Sequence, residues 1–161
     1  MDPYLLLKTI HILSATLLLG TGLGIAFFCW FGYRYALRHA DIGALRVVTR
    51  LTVIADAIST APAVVIQFVT GILLMLRAGW SLTSPWAITV YALFVLVGVC
   101  WLPVVWIQAR LARIAETAPA MDRLPPDYGR LFLIWFVLGW PAFAGVIVLV
   151  WMMVAKPLPV V

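Results

Sequence analysis

Residues 4–33 read YLLLKTIHILSATLLLGTGLGIAFFCWFGY and contain no acidic residue and only two basic ones, Lys8 and His11. An α-helix rises about 1.5 Å per residue, and roughly twenty apolar residues cross the hydrocarbon core of a bilayer. The stretch therefore predicts a transmembrane helix that has length to spare.

The composition of the whole chain agrees with this first stretch. Of its 161 residues, 65% are hydrophobic and 11% are charged, and the mean hydropathy is +1.11. A soluble domain carries roughly 25% charged residues, so a soluble fold is excluded. We predict an all-α fold, a polytopic four-helix transmembrane bundle that forms one domain over residues 1–161. The predicted spans are about 4–33, 51–76, 86–109 and 128–155.

The basic residues indicate how the chain is oriented. The net charge is +5, and four arginines lie in or beside each of two polar loops, 34–50 and 110–127. The turn after the second span has only Arg77, and the tail has only Lys156. The positive-inside rule places the two arginine-rich loops in the cytoplasm and both termini outside. Because these charges lie in short loops, we predict no nucleic-acid partner.

A weak internal repeat divides the chain into two halves. An offset of 79 residues carries Pro62-Ala63 onto Pro141-Ala142, and the same offset carries Arg34 onto Arg113. Both halves would cross the membrane in the same sense. The pattern favours two repeated helical hairpins that are related by an axis along the membrane normal.

His11 is the first candidate for chemistry. It lies about eight residues into the first helix, roughly 12 Å from the helix end. Ionisable groups at such a depth usually face the bundle interior, where they mark a ligand, proton or cofactor site. Neutral imidazole also ligates haem iron. The structural alternative is a ring that hydrogen-bonds a Ser, a Thr or a carbonyl of a neighbouring helix.

A second ligand beside His11 is harder to identify. His39 lies in the first arginine-rich loop, about 40 Å away by the helical rise, so the two histidines cannot hold one haem within a single chain. A second ligand would come from His11 of another subunit or from a residue at the same depth. The candidates in this chain are Lys8, Tyr91, Met75 and Met152.

Two further polar residues lie inside predicted spans. Asp56 is the only acid there, and a carboxylate in that position must pair with a cation, reach the interface or take up a proton. Pairing with Arg50 or a loop arginine is one interpretation, and a proton or substrate relay is the other. Gln67 is expected to hydrogen-bond another helix. Gly20 and Gly24 form a GxxxG motif, which permits a close contact between helices; the alternative is that the glycines leave room for a flat macrocycle.

Several motifs in sequence order resemble those of an uncharacterised bacterial family, domain of unknown function 2269. They are YLLLKTIHILSATLLLGTGLG, APAVVIQFVTG, CWLPVVWIQ, RLFLIWFVLGWPAF and WMMVAKP. The resemblance implies a location in the bacterial cytoplasmic membrane. More distantly, K-x-x-H at Lys8–His11 and the final Lys156-Pro157 resemble the HemJ type of protoporphyrinogen oxidase and the CopD type of membrane protein. The resemblance to HemJ implies that His11 ligates haem b.

Three functions follow as hypotheses. The first is a b-type haem-binding protein with a redox or haem-pathway role, in which His11 binds the iron near Lys8 and Tyr91. The second is a non-catalytic subunit or assembly factor of a larger membrane complex, since the sequence has no complete catalytic set. The third is a small transporter that uses Asp56 and Gln67. The expected partners are the lipid bilayer and either a second copy or other membrane subunits.

Overall fold

The computed structural model describes residues 2–160, which are almost entirely helical and contain no β-strand. The helices are α1 (Pro3–His39), α2 (Ile42–Ala55), α3 (Ala61–Arg77), α4 (Pro85–Thr117) and α5 (Tyr128–Ala155). A π-helical segment, Asp56–Thr60, joins α2 to α3 without a break in the helix, and a short 3-10 turn, Met121–Arg123, precedes α5.

Four of these helical units are long and apolar enough to cross a membrane: Pro3–His39, Ile42–Arg77, Pro85–Thr117 and Tyr128–Ala155. The predicted all-α, four-span membrane fold is confirmed. The helices extend beyond the predicted spans, because hydropathy marks only where the lipid begins. Arg, Ala and Leu are good helix formers. Helix α1 therefore continues to His39, into the predicted loop 34–50.

Polar caps fix the turn between α1 and α2. Ala40 ends α1 in the left-handed conformation, with φ at 50°. The Asp41 carboxylate then accepts a hydrogen bond of 2.9 Å from the backbone N–H of Ala44, which satisfies a free donor at the start of α2. This short turn reverses the chain, so α1 and α2 lie side by side.

The bundle consists of two antiparallel hairpins. In the first, α1 packs against α2 and α3, and in the second α4 packs against α5; α2 also contacts α4, and α1 contacts α5. We call the end of the bundle with residues 34–50 and 110–127 the arginine-rich end, and the opposite end the terminal end.

Aromatic side chains join α1 to α5 near the arginine-rich end. The ring centroids of Tyr33 and Phe132 are 4.1 Å apart, and those of Trp30 and Phe136 are 4.3 Å apart. At the terminal end, Met75, Trp86 and Met152 form a second buried cluster. There the Trp86 indole N–H donates a hydrogen bond of 3.0 Å to the Met152 carbonyl.

Arg46 ties the two hairpins together. Its guanidinium donates to the Ala115 carbonyl at 3.1 Å and to the Ala118 carbonyl at 2.6 Å. These are carbonyl oxygens at the C-terminal end of α4, which the helix itself leaves without a donor. Arg46 therefore acts as a cap on α4 that is provided by α2.

Gly32 lies where α1 packs closely against α2. A Cβ atom built on Gly32 would lie 2.7 Å from Cγ2 of Val48, whereas one built on Gly20, Gly22 or Gly24 would meet nothing within 4 Å. Within residues 2–160, the close helix contact that the GxxxG motif permits is made at neither Gly20 nor Gly24. The space beside these glycines is open.

Gly32→Ala and Gly20→Ala form a matched pair of substitutions in one helix. Alanine in place of an exposed helical glycine normally stabilises a helix by about 0.5–1 kcal/mol. At Gly32 the added methyl group would overlap the rigid Val48 side chain, so we expect a net loss of about 1–3 kcal/mol. Thermal unfolding in a mild detergent should show a lower Tm for Gly32→Ala and an unchanged or higher Tm for Gly20→Ala. Equal Tm values for the two variants would contradict the packing described.

Candidate functional site

Seven polar side chains of α1 and of the second long helix, Ile42–Arg77, lie inside the bundle. His11, Ser14 and Thr21 lie on α1, and Asp56, Thr60, Gln67 and Thr70 lie on the π-helical segment and α3. The two helices are antiparallel, so residues early in α1 meet residues late in α3. We call these seven side chains the polar seam.

His11 contacts the seam with both ring nitrogens. Nδ1 lies 2.8 Å from Oγ1 of Thr70, and Nε2 lies 2.9 Å from Nε2 of Gln67. With the Gln67 amide N–H donating to Nε2, the Nδ1–H donates to Thr70, whose own hydroxyl donates to the Ile66 carbonyl at 2.6 Å. The ring is thus a neutral imidazole with each nitrogen in a hydrogen bond.

Ser14 completes this part of the seam. Its buried hydroxyl lies between two acceptors, Oε1 of Gln67 and, at 2.9 Å, the carbonyl oxygen of His11 one turn earlier. Gln67 therefore bridges two residues of α1, which confirms the expectation that it hydrogen-bonds another helix. In hydrocarbon such contacts leave no polar group without a partner.

Thr21 and Thr60 form the next level of the seam, with their hydroxyl oxygens 3.3 Å apart. Thr21 is two turns beyond Ser14 on α1, a rise of about 10 Å. Thr60 lies one turn from Asp56, which is a rise of about 6 Å. The polar groups therefore continue from the His11 level towards the arginine-rich end.

Asp56 is buried, with 5% of its surface exposed, and all of its side-chain partners are neutral. The Gln108 amide N–H donates to Oδ2 at 2.7 Å, and the Trp101 indole N–H lies 3.4 Å from Oδ1. Gln108 in turn accepts a bond of 3.3 Å from the Trp135 indole N–H. The carboxyl group thus connects the first hairpin to α4 and α5.

The pairing of Asp56 with Arg50 is not found. Arg50 lies 4.0 Å from Glu116 instead, and both of these side chains are largely exposed to solvent. A long, flexible arginine gains more hydration at the surface than it would inside the bundle. A buried carboxyl group without a cationic partner is costly, and such groups inside spans commonly have a function.

Pro62 accounts for the local backbone at Asp56. Proline has no N–H, and its ring collides with the carbonyl four residues earlier, which here belongs to Ile58. The helix adapts by forming the π-helical segment Asp56–Thr60, immediately before Ala61-Pro62. Such π-bulges occur frequently at functional sites. In the second half of the repeat, Pro141 lies inside α5 with no π-helical segment before it.

Sequence reasoning found His11, Asp56 and Gln67 but missed their partners. Ser14, Thr70 and Gln108 are all buried, and each forms a hydrogen bond with at least one of His11, Asp56 and Gln67. One signal was available: Ser14 lies three residues after His11, and Thr70 lies three residues after Gln67, so each pair shares a helix face. Gln108 gave no such signal, because it ends a predicted span beside arginines.

The geometry around His11 does not fit a haem. Iron would need a ring nitrogen that faces open space, whereas both nitrogens are hydrogen-bonded to α3. Cε1, the atom between them, would lie 3.3 Å from a Cβ atom built on Gly71, so this edge of the ring faces the α3 backbone. Haem ligation by His11 stays a prediction of the resemblance.

The other proposed cofactor residues do not meet His11 either. Lys8 is exposed to the surroundings, and the Tyr91 hydroxyl donates to the sulfur of Met75 at 3.7 Å. Within residues 2–160, no group of three or more His, Cys, Asp or Glu side chains is placed to hold a metal ion. The contacts that join the side chains of the polar seam are hydrogen bonds.

Comparison with known proteins places this chain in one family. No curated protein and no solved structure matches it. One family model matches residues 5–157, nearly the whole chain, and that family is described as a predicted integral membrane protein. The four apolar helices and the buried polar seam agree with this description. The chain belongs to the family of predicted integral membrane proteins known as DUF2269.

Proposed function

We propose that the protein is a small transporter that moves protons across the membrane, with Asp56 as its proton-binding group. The single observation that carries the proposal is a buried carboxyl group whose side-chain partners are all neutral. Removing such a group from water is expensive, and an ionisable group inside a span typically marks an ion or substrate pathway or a proton relay. Among residues 2–160, neither of the salt bridges involves Asp56.

The His11 level of the seam supports proton movement as well. If the terminal amide of Gln67 rotates by 180°, Oε1 takes the place of the amide nitrogen beside Nε2 of His11. Thr70 and Gln67 can then both accept hydrogen bonds from a ring that carries two protons. His11, Gln67 and Thr70 thus accommodate both the neutral and the protonated imidazole. In this mechanism, water delivers a proton to Nε2 of His11 when the Gln67 amide turns, and the ring later gives that proton to water between Ser14 and Thr21.

The intermediate level links these two groups. Thr21 and Thr60, 3.3 Å apart, lie between His11 and Asp56, and a hydroxyl group can accept one proton while it donates another. The steps of about 10 Å between Ser14 and Thr21 and of about 6 Å between Thr60 and Asp56 are each longer than one hydrogen bond, so in this mechanism water carries the proton over both.

The distribution of the arginines supports a proposed orientation of the bundle in the membrane. Arg34, Arg38, Arg46 and Arg50 lie at the same end of the bundle as Arg110, Arg113 and Arg123. Under the positive-inside rule this end faces the cytoplasm, and both termini lie on the outer side of the bacterial cytoplasmic membrane. His11 is then the proton site of the outer half, and Asp56 is that of the inner half.

Proton flux into proteoliposomes tests the proposal. With an imposed potassium diffusion potential and a pH-sensitive dye inside, wild-type protein should conduct protons faster than protein-free vesicles do. Asp56→Asn retains the shape of the side chain but cannot exchange a proton, so its flux should fall to the protein-free rate. Asp122→Asn makes the same chemical change on an exposed residue outside the spans, and it should conduct like the wild type.

Two results would contradict the proposal. One is a wild-type flux equal to that of protein-free vesicles. The other is a proton flux through Asp56→Asn protein that equals the wild-type flux, when the variant elutes and unfolds like the wild type.

The haem b hypothesis gives a different prediction and is tested separately. Because both His11 nitrogens are hydrogen-bonded, we expect protein purified in mild detergent, oxidised or reduced with dithionite, to show no Soret band. A Soret band in the wild type that is lost in His11→Ala would establish haem on α1, and with it the redox or haem-pathway role. Thr16→Ala, an exposed change on the same helix, is the matched control.

A further inference from the structure

The last turns of α1 lie at the depth of lipid headgroups. Arg34 is thirty residues after Tyr4, so the helical rise places it about 45 Å along α1. A bilayer with both headgroup layers measures about 40–45 Å. Arg38 lies one turn further from the membrane centre. The two guanidinium groups are therefore within reach of lipid phosphates.

A groove of about 490 Å³ runs along this part of α1. Its lining residues all belong to α1: Trp30, Phe31, Arg34, Tyr35, Arg38 and His39. Two of its aromatic rings pack against neighbouring rings. The ring centroids of Trp30 and Phe136 are 4.3 Å apart, and those of Tyr35 and His39 are 4.4 Å apart. The groove thus combines two cations with aromatic walls.

The positive charge of the groove has no counter-charge in the described part of the chain. Among residues 2–160, the salt bridges are Arg50 with Glu116 and Arg110 with Asp127, and neither involves Arg34 or Arg38. The acid next in sequence, Asp41, instead caps α2 through the Ala44 N–H. An anion from outside the chain would therefore be attracted to this groove.

A second groove on α4 provides a comparison. It measures about 360 Å³ and is lined by Trp106, Ala109, Arg110, Arg113 and Ile114. There Arg110 lies 4.0 Å from Asp127 and also stacks 5.5 Å from the centre of the Trp106 ring. One of its two arginines is thus already engaged, so the α1 groove is the stronger site for an anion.

The surface beside the α1 groove is suited to acyl chains. Phe27, Phe28 and Phe31 lie on α1 between Arg34 and the hydrocarbon, and each has more than half of its surface exposed, at 54%, 69% and 56%. A ligand that places a phosphate between the arginines can thus lay its hydrocarbon tails on these rings. A free phosphate ion would leave this apolar surface uncovered.

We propose that the α1 groove is a binding site for an anionic glycerophospholipid. Arg34 and Arg38, one turn apart, donate hydrogen bonds to its phosphate oxygens, since guanidinium groups match phosphate geometry. Tyr35 and His39 flank the headgroup, and the acyl chains follow the exposed phenylalanines. This inference is independent of the proposed proton transport, because the groove shares no residue with the polar seam.

Lipid titration of the delipidated full-length protein tests the site. Phosphatidylglycerol binding in detergent is followed by native mass spectrometry for the wild type and for Arg34→Gln/Arg38→Gln. Each arginine near anionic lipid contributes about 1 kcal/mol, so removing both should weaken binding about 30-fold. The double variant Arg123→Gln/Arg130→Gln removes the same charge from exposed positions at this end that line neither groove, and it should bind phosphatidylglycerol like the wild type.

Three outcomes would overturn the proposal. The first is equal binding of phosphatidylcholine, which would show that the anionic headgroup does not matter. The second is an equal loss of affinity in both double variants, which would show only a general effect of charge. The third is displacement of the lipid by inorganic phosphate at a similar concentration, which would assign the groove to a free anion.

Discussion

Hydrocarbon offers no hydrogen-bond partner, and the arrangement of this protein depends on that constraint. Each polar group inside a span must find a partner within the bundle or lose several kcal/mol. His11 does so through Gln67 and Thr70, and Asp56 through Gln108 and Trp101. These contacts fix which faces of the helices meet, because rotating one helix would expose its polar groups to lipid.

The same contacts hold the two hairpins together. Asp56 belongs to the first hairpin, while Gln108 and Trp135 lie on α4 and α5 of the second. A carboxyl group that exchanged its proton would change the strength of its bond to Gln108, since hydrogen bonds to ionised groups are roughly twice as strong as neutral ones. The π-helical segment at Asp56 lies where such a change would reach both hairpins. In the proposed mechanism, proton binding and helix packing are therefore linked at one residue.

Hydropathy and helical rise were enough to predict four transmembrane helices, because both depend on local sequence. His11, Asp56 and Gln67 could be selected as well, since an ionisable or amide group in an apolar run is conspicuous. Their partners could not, because whether Gln108 faces Asp56 depends on how α2 packs on α4. The glycines show the same limit: Gly20 and Gly32 look alike in sequence, and only packing shows that Gly32 touches Val48.

In the proposed mechanism, Asp56 binds and releases a proton inside the bundle. Infrared difference spectroscopy of the protein in lipid can detect this step, since a protonated carboxyl group has its own carbonyl stretching band. We expect a band that appears on acidification, disappears on alkalinisation and is missing from Asp56→Asn, but is retained in Asp122→Asn. Difference spectra that are the same for the wild type and Asp56→Asn would contradict it.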